Sequence, residues 1–187
     1  MHSGDAGGVV PDSFRIARSS LDRLEDPASG HIRPAAFQAE IPDGRIEQAH
    51  TAAEVLGDAV HRKFPFVDGA GPGRGEIAEL ILDRTWRPAL AVTGADGLPP
   101  PASAGYVLRP GTTLRLSLRL PPTVDGEAAT AAMKALLEAD PPHGARVRFA
   151  GSWATSGWNA PPLEDWLAGA VDDASRQWFG RPAVSMG

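Results

Sequence analysis

The chain predicts an α+β fold, an antiparallel sheet with helices packed on one of its faces, and three stretches carry that prediction. In TTLRLSLRLPP (112–122), Leu114, Leu116, Leu118 and Leu120 alternate with Arg115, Ser117 and Arg119. Strict period two over this length is the mark of a strand with one face buried. The next stretch, opened by Asp125 or Gly126 and running to about Ala139, puts Ala129, Ala132, Met133 and Leu136 on one helical face. After PPHG, the run ARVRFAG (145–151) again reads as a strand.

Taken in chain order, the elements are as follows. Asp12 is placed to cap a helix reaching about Leu24, with Phe14, Ala17, Leu21 and Leu24 on one stripe, and DPASGHIRP (26–34) ends it. A second helix is expected over about 45–63, where Ile46, Ala49, Ala53, Leu56 and Val60 keep helical spacing. KFPFVDGAGPGRG is loop, and a short helix follows at 76–83. PALAVTG (88–94) is a short apolar strand ended by GADG, and the proline-rich LPPPASAG (98–105) leads to the leucine strand. The last helix is expected to start at the prolines of APPLEDWL and stop at Gly180, with Leu163, Trp166, Leu167, Ala170, Val171, Ala174 and Trp178 as a broad apolar face. Residues 88–151 thus read β-β-α-β. With a helix before them, they make most of a ferredoxin-like two-layer sandwich that lacks its opening strand, and the gap falls just before MHSG.

Bulk properties narrow the function. The chain is long enough to bury a core unaided, and 42% hydrophobic with 22% charged residues is globular composition. A net charge of −5 argues against a nucleic-acid binder. With no cysteine, disulfides and thiolate metal sites are excluded, and the composition fits a reducing compartment. No apolar run approaches a membrane span and none resembles a signal peptide, so the expectation is a cytoplasmic protein without membrane or nucleic-acid partners.

Few residues offer chemistry. Of the five histidines (His2, His31, His50, His61 and His143), none forms a close helical ligand pair. His50 and His61 are about 16 Å apart along one expected helix, too far for a shared metal. Gly-Ser-Trp (151–153) and Thr-Ser-Gly (155–157) lack a nucleophile elbow, and GAGPGRG has neither the Lys-Ser/Thr nor the strand of a phosphate loop. Two residues are left. His2 sits in HSGDAGG, where glycines let backbone approach closely; the plainer alternative is a frayed terminus. Arg119 stands on the polar face of the leucine strand, either solvated or as a fork for a carboxylate.

HSGDAGG before a helix, GADGLPPPASAGYVLRPGTTLRLSLRLPP, SGWNAPP and the closing WFGRPAVSMG together resemble one family over nearly the whole chain. They are similar to the lid, or dimerisation, domain of the dinuclear-zinc peptidases and amidohydrolases of family M twenty. That family includes carnosine dipeptidase, acetylornithine deacetylase and succinyl-diaminopimelate desuccinylase, and the carnosine-dipeptidase-like branch is the nearest in flavour. The resemblance implies a four-stranded antiparallel sheet with two helices on one face, which dimerises. It implies that His2 reaches into a partner subunit's active site and stabilises the oxyanion of the tetrahedral intermediate, where a positioned N–H is most effective. It implies that Arg119 binds the substrate carboxylate with a planar bidentate donor. A third family contact, a Thr or Asn, falls at Tyr106, a much larger residue, and Asn159 lies near a position that is often histidine.

The same resemblance implies a division of the chain. Residues 1–160 would be the lid, with a helical insertion at about 31–86. Residues 161–187 would be a helix and short segment leading back to a catalytic domain that this sequence does not contain. The family's metal ligands and catalytic glutamate lie in that domain, and no His-x-Asp stretch or Glu-Glu pair is found here. The chain is expected to be a truncated fragment with no cofactor of its own, the two zinc ions belonging to the parent enzyme. Its expected partners are a second copy, the absent catalytic domain, and a peptide or N-acyl amino acid substrate. The alternative is a non-catalytic α/β interaction domain that works by self-association.

Overall fold

The computed structural model describes residues 1–73, 75–151 and 153–186; Arg74 of GAGPGRG, Ser152 and Gly187 lie outside the described residues. The chain divides into two compact units. One comprises Met1–Gln38, Pro88–Leu120 and Val124–Ser156, the other Ala39–Arg87, Pro121–Thr123 and Gly157–Gly187.

The first unit is the α+β body. It opens with a short helix α1 (Ser3–Ala6) and a longer α2 (Ser13–Leu21). The Asp12 carboxylate accepts the N–H groups of Phe14 and Arg15 at 2.9 and 3.0 Å, satisfying two of the donors that a helix start leaves open. Strands β1 (Ala89–Asp96) and β2 (Thr113–Arg119) pair antiparallel, with Leu90 opposite Leu118 and Val92 opposite Leu116, and a register shift between Val92 and Gly94. Leu116, Leu118 and Leu120 pack with Leu21, Leu24, Ile32, Phe37, Ala129, Met133 and Leu137. The leucine face of β2 is therefore the covered face, as its alternation predicts, while Arg115 and Arg119 are exposed. The helix on the other side of this core, α6 (Gly126–Glu138), is capped by the Asp125 carboxylate on the Ala128 N–H at 2.8 Å. α+β architecture, an antiparallel pair of strands and helices against one face all follow from the sequence pattern.

In this unit the strand expected at 145–151 is missing. Residues 145–150 form no strand, although their burial alternates as a strand's would: Val147 and Phe149 pack on the core and Arg146 and Arg148 are exposed. A ladder needs a neighbour within about 5 Å, and among the described residues the sheet has only two strands. The side-chain pattern is present without a backbone partner. The N–H of Phe149 goes instead to the Glu138 carboxylate at 2.8 Å.

The second unit is helical. α3 (Asp43–Leu56) packs on α5 (Ile77–Thr85), with the short α4 (Ala59–Arg62) beside them. Their core is Ala49, Ala52, Val60, Ile81 and Leu82, alanines letting the helix axes come close. The single helix expected at 45–63 is broken, because Gly57 takes φ 49° and ψ −137° and ends α3. The last helix, α7 (Asp165–Phe179), starts beyond the prolines and buries no residue. Apart from the half-buried Leu167, its expected apolar face is exposed, Trp166 and Trp178 included. The tail after Gly180 folds back, with the Ala183 N–H on the Asp172 carboxylate at 3.0 Å and Val184 against the helical core.

Candidate functional site

The HSGDAGG turn is built by close approach. His2 is extended and stands as the N-cap of α1 (Ser3–Ala6), its ring Nδ1 accepting the Gly4 N–H at 3.0 Å. A Cβ on Gly4 would lie 3.2 Å from both Cε1 and Nδ1 of that ring, and one on Gly7 would lie 2.4 Å from the Ser3 carbonyl oxygen. Glycine at these two positions is what allows the ring to fold over the backbone and the turn to close. The turn is also strapped down. The Ser3 N–H donates to the Tyr106 carbonyl at 2.8 Å, the Leu108 N–H to the Met1 carbonyl at 2.9 Å, and His2 bridges Val107.

That strap brings two of the four candidate residues together. The Tyr106 ring lies 6.3 Å from the His2 ring, tilted by 42°, and Tyr106 is 80% exposed. Arg119 is not part of this pair. It closes β2 opposite Ala89, while the chain from Tyr106 enters β2 at Thr113, the other end, about 20 Å away at strand rise. Its guanidinium makes no hydrogen bond or ion pair among the described residues. Asn159 belongs to the helical unit, where its Oδ1 accepts from Arg45 Nη2 at 2.9 Å. The same nitrogen donates to the Ala160 carbonyl, and the guanidinium lies 6.0 Å from the centre of the buried Trp86 ring.

All four candidates are exposed. Two surface depressions are lined by none of them: one of about 550 Å³ beside Val55, Leu56, Trp178 and Val184, the other of about 530 Å³ beside Thr130, Lys134, Phe149 and Trp153. Among the described residues no three His, Asp or Glu side chains gather as a metal ion would require, so they do not fit the zinc pair that the motifs imply. No helix among them is long and apolar enough to cross a membrane.

Sequence reading did not single out Gly4 or Arg45. Gly4 was visible only as one glycine of HSGDAGG, its specific job being set by the ring that folds onto it. Arg45 lies too far along the chain from Asn159 for any spacing rule to join them.

No family model matches the sequence, and no curated protein does. Solved structures match its fold, among them the following three. Human carnosine dipeptidase 1 matches with a TM-score of 0.66 and 20% identity over 100% of this chain. The di-peptidase Dug1p from Saccharomyces cerevisiae matches with 0.62 and 19% over 100%. An M20 family metallo-carboxypeptidase from Sulfolobus solfataricus matches with 0.61 and 17% over 97%. The chain spans only 40%, 39% and 40% of their respective lengths. The likeness that its motifs carry is thus also a likeness of fold: the chain has the architecture of about two fifths of each of these peptidases.

Proposed function

We propose that the chain is the lid and dimerisation module of a zinc-dependent exopeptidase or amidohydrolase acting on peptides or N-acyl amino acids. The observation that carries this reading is the match of nearly the entire chain to about two fifths of each of three peptidases. In it, His2 donates a hydrogen bond to the oxyanion that develops on the substrate carbonyl in a partner subunit, and Arg119 holds the substrate carboxylate. Tyr106, beside His2, borders the same place, and Asn159 offers a further polar contact. The exposure of all four suits residues that meet a surface from outside the chain. The zinc pair, its ligands and the catalytic glutamate belong to a catalytic domain. The exposed face of α7 (Asp165–Phe179) and the ladderless 145–150 segment are where that domain and a further strand would pack. Alone, the chain hydrolyses nothing.

The test is the reading frame around these codons. Flanking sequence encoding His-x-Asp and Glu-Glu segments upstream and a Gly-Gly-Ser-Ile-Pro-like run downstream is expected. The zinc-loaded product of that frame should hydrolyse dipeptides or N-acyl amino acids. His2→Ala should then lower kcat by about 10²–10³, the usual loss for one oxyanion donor, while Arg119→Lys should mainly raise KM. Absence of those flanks, or full kcat in His2→Ala, defeats the reading and leaves a self-associating α/β domain.

A further inference from the structure

The Gly4 N–H can only donate, so the ring nitrogen that meets it must present a lone pair. That nitrogen is His2 Nδ1, at 3.0 Å. Turning the ring over would put carbon Cδ2 there and leave the N–H without this acceptor. A neutral imidazole carries one proton, and with Nδ1 taken as acceptor that proton is on Nε2. We infer that the Gly4 N–H is a positioning group for His2: it fixes the ring in the Nε2–H tautomer and so turns an N–H donor, rather than a lone pair, outward.

The consequence bears directly on the oxyanion role and rests on that reading. An Nε2 lone pair would repel developing negative charge, whereas Nε2–H stabilises it. The same glycine serves twice. Its N–H selects the tautomer, and its missing side chain lets the ring sit where a Cβ would come within 3.2 Å of Cε1 and Nδ1. The Ser3 N–H on the Tyr106 carbonyl holds the turn that presents both groups.

The tautomer is open to measurement on the chain as it stands. A long-range ¹⁵N–¹H correlation spectrum at pH of about 8, above the ordinary histidine range, reads each ring separately. His2 should show a protonated Nε2 and a lone-pair Nδ1 with no exchange between forms, while the exposed His50 serves as the freely exchanging reference. A coupling across the hydrogen bond between the Gly4 amide nitrogen and His2 Nδ1 should be present. Gly4→Pro, which removes this N–H in the first turn of α1, should shift His2 to the mixture seen for His50. A wild-type His2 already matching His50, no coupling in the wild-type chain, or a Gly4→Pro ring spectrum identical to wild type would overturn the inference. These readings are independent of hydrolysis. A fixed Nε2–H in a chain whose parent keeps full kcat after His2→Ala would uphold the tautomer and sink the oxyanion reading.

Discussion

Glu138 and Phe149 are joined by a side-chain to main-chain bond: one carboxylate oxygen accepts the Phe149 N–H at 2.8 Å, while the other accepts the Lys134 ammonium at 2.6 Å. Through it the C-terminal end of α6 holds a segment that has strand-like burial and no ladder. Lys134 first, and the Phe149 N–H second, hold the Glu138 carboxyl below its ordinary value of 4.5. A depressed carboxylate stabilises above its unfolded value, and that contribution fades as pH falls through the folded value. Amide exchange at Phe149, corrected for its intrinsic pH dependence, should therefore quicken once the pH drops below the ordinary value and not above it. Glu138→Gln keeps an acceptor but cannot titrate, so its profile should be flat across the same window. A wild-type profile equally flat would show that this carboxylate does not hold the segment.

How far the sequence foretold the fold depends on how local each cause is. The leucine alternation at 114–120 reports the face of β2 correctly because side-chain period and burial are set by the same pleat. The caps Asp12 and Asp125 are legible because the bond partners lie within three residues. The 145–151 stretch misleads because Val147 and Phe149 show only which face is buried, and a ladder needs a neighbour that periodicity does not encode. In the same way, the apolar stripe of α7 is read rightly as a stripe, but Trp166 and Trp178 find nothing to cover it among these residues. At the site, HSGDAGG points to His2 and the strand pattern to Arg119. The pairing of His2 with Tyr106 depends on backbone bonds across the chain that no local rule could supply.

Trp86 gives a second test. Its ring is only 2% exposed, yet its Nε1–H has no acceptor among the described residues. An orphaned buried donor costs about 1–3 kcal/mol. Trp86→Phe removes that donor while keeping an aromatic ring beneath Arg45, and it loses part of the packing in exchange. The two effects oppose, so stability should stay within about 1 kcal/mol of wild type by urea denaturation, whereas Trp86→Ala should cost about 3–5 kcal/mol. A loss of about 3 kcal/mol in Trp86→Phe would mean that the indole N–H is engaged after all.

The sheet itself suggests association. With two strands among the described residues, β1 (Ala89–Asp96) offers unpaired N–H and C=O groups on the side away from β2, and Val92 is 49% exposed. Such edges pair with other chains unless charge protects them. Sedimentation velocity should show dimers or larger species growing with concentration, and Val92→Lys should weaken association by on the order of tenfold. A protein that stays monomeric at high concentration, or association undiminished by Val92→Lys, would remove the edge as the site.

Gly57 separates two descriptions of the helical unit by the sign of a single number. Periodicity across Ile46, Ala49, Ala53, Leu56 and Val60 describes one continuous helix, and in a helix interior alanine is favoured over glycine by about 1 kcal/mol. The structure instead ends α3 at Leu56, with Gly57 at φ 49° and ψ −137°, and places Val60 in the separate α4 (Ala59–Arg62). Nothing lies within 4 Å of where a Cβ on Gly57 would stand, so packing does not enter the comparison. What remains is backbone strain, and this region is nearly forbidden to a residue with a side chain, at a cost of about 1–3 kcal/mol. Gly57→Ala should thus lower the urea midpoint, and a raised midpoint would mean that the helix runs through. The break also decides how Val60 reaches Ile81 and Leu82. A continuous helix would carry Val60 onward along the α3 axis, while the turn at Gly57 returns it to the same small core. Destabilisation by Gly57→Ala, with a similar loss in Gly57→Asn, would match a corner reserved for glycine, since ψ −137° lies outside the left-handed region that asparagine tolerates.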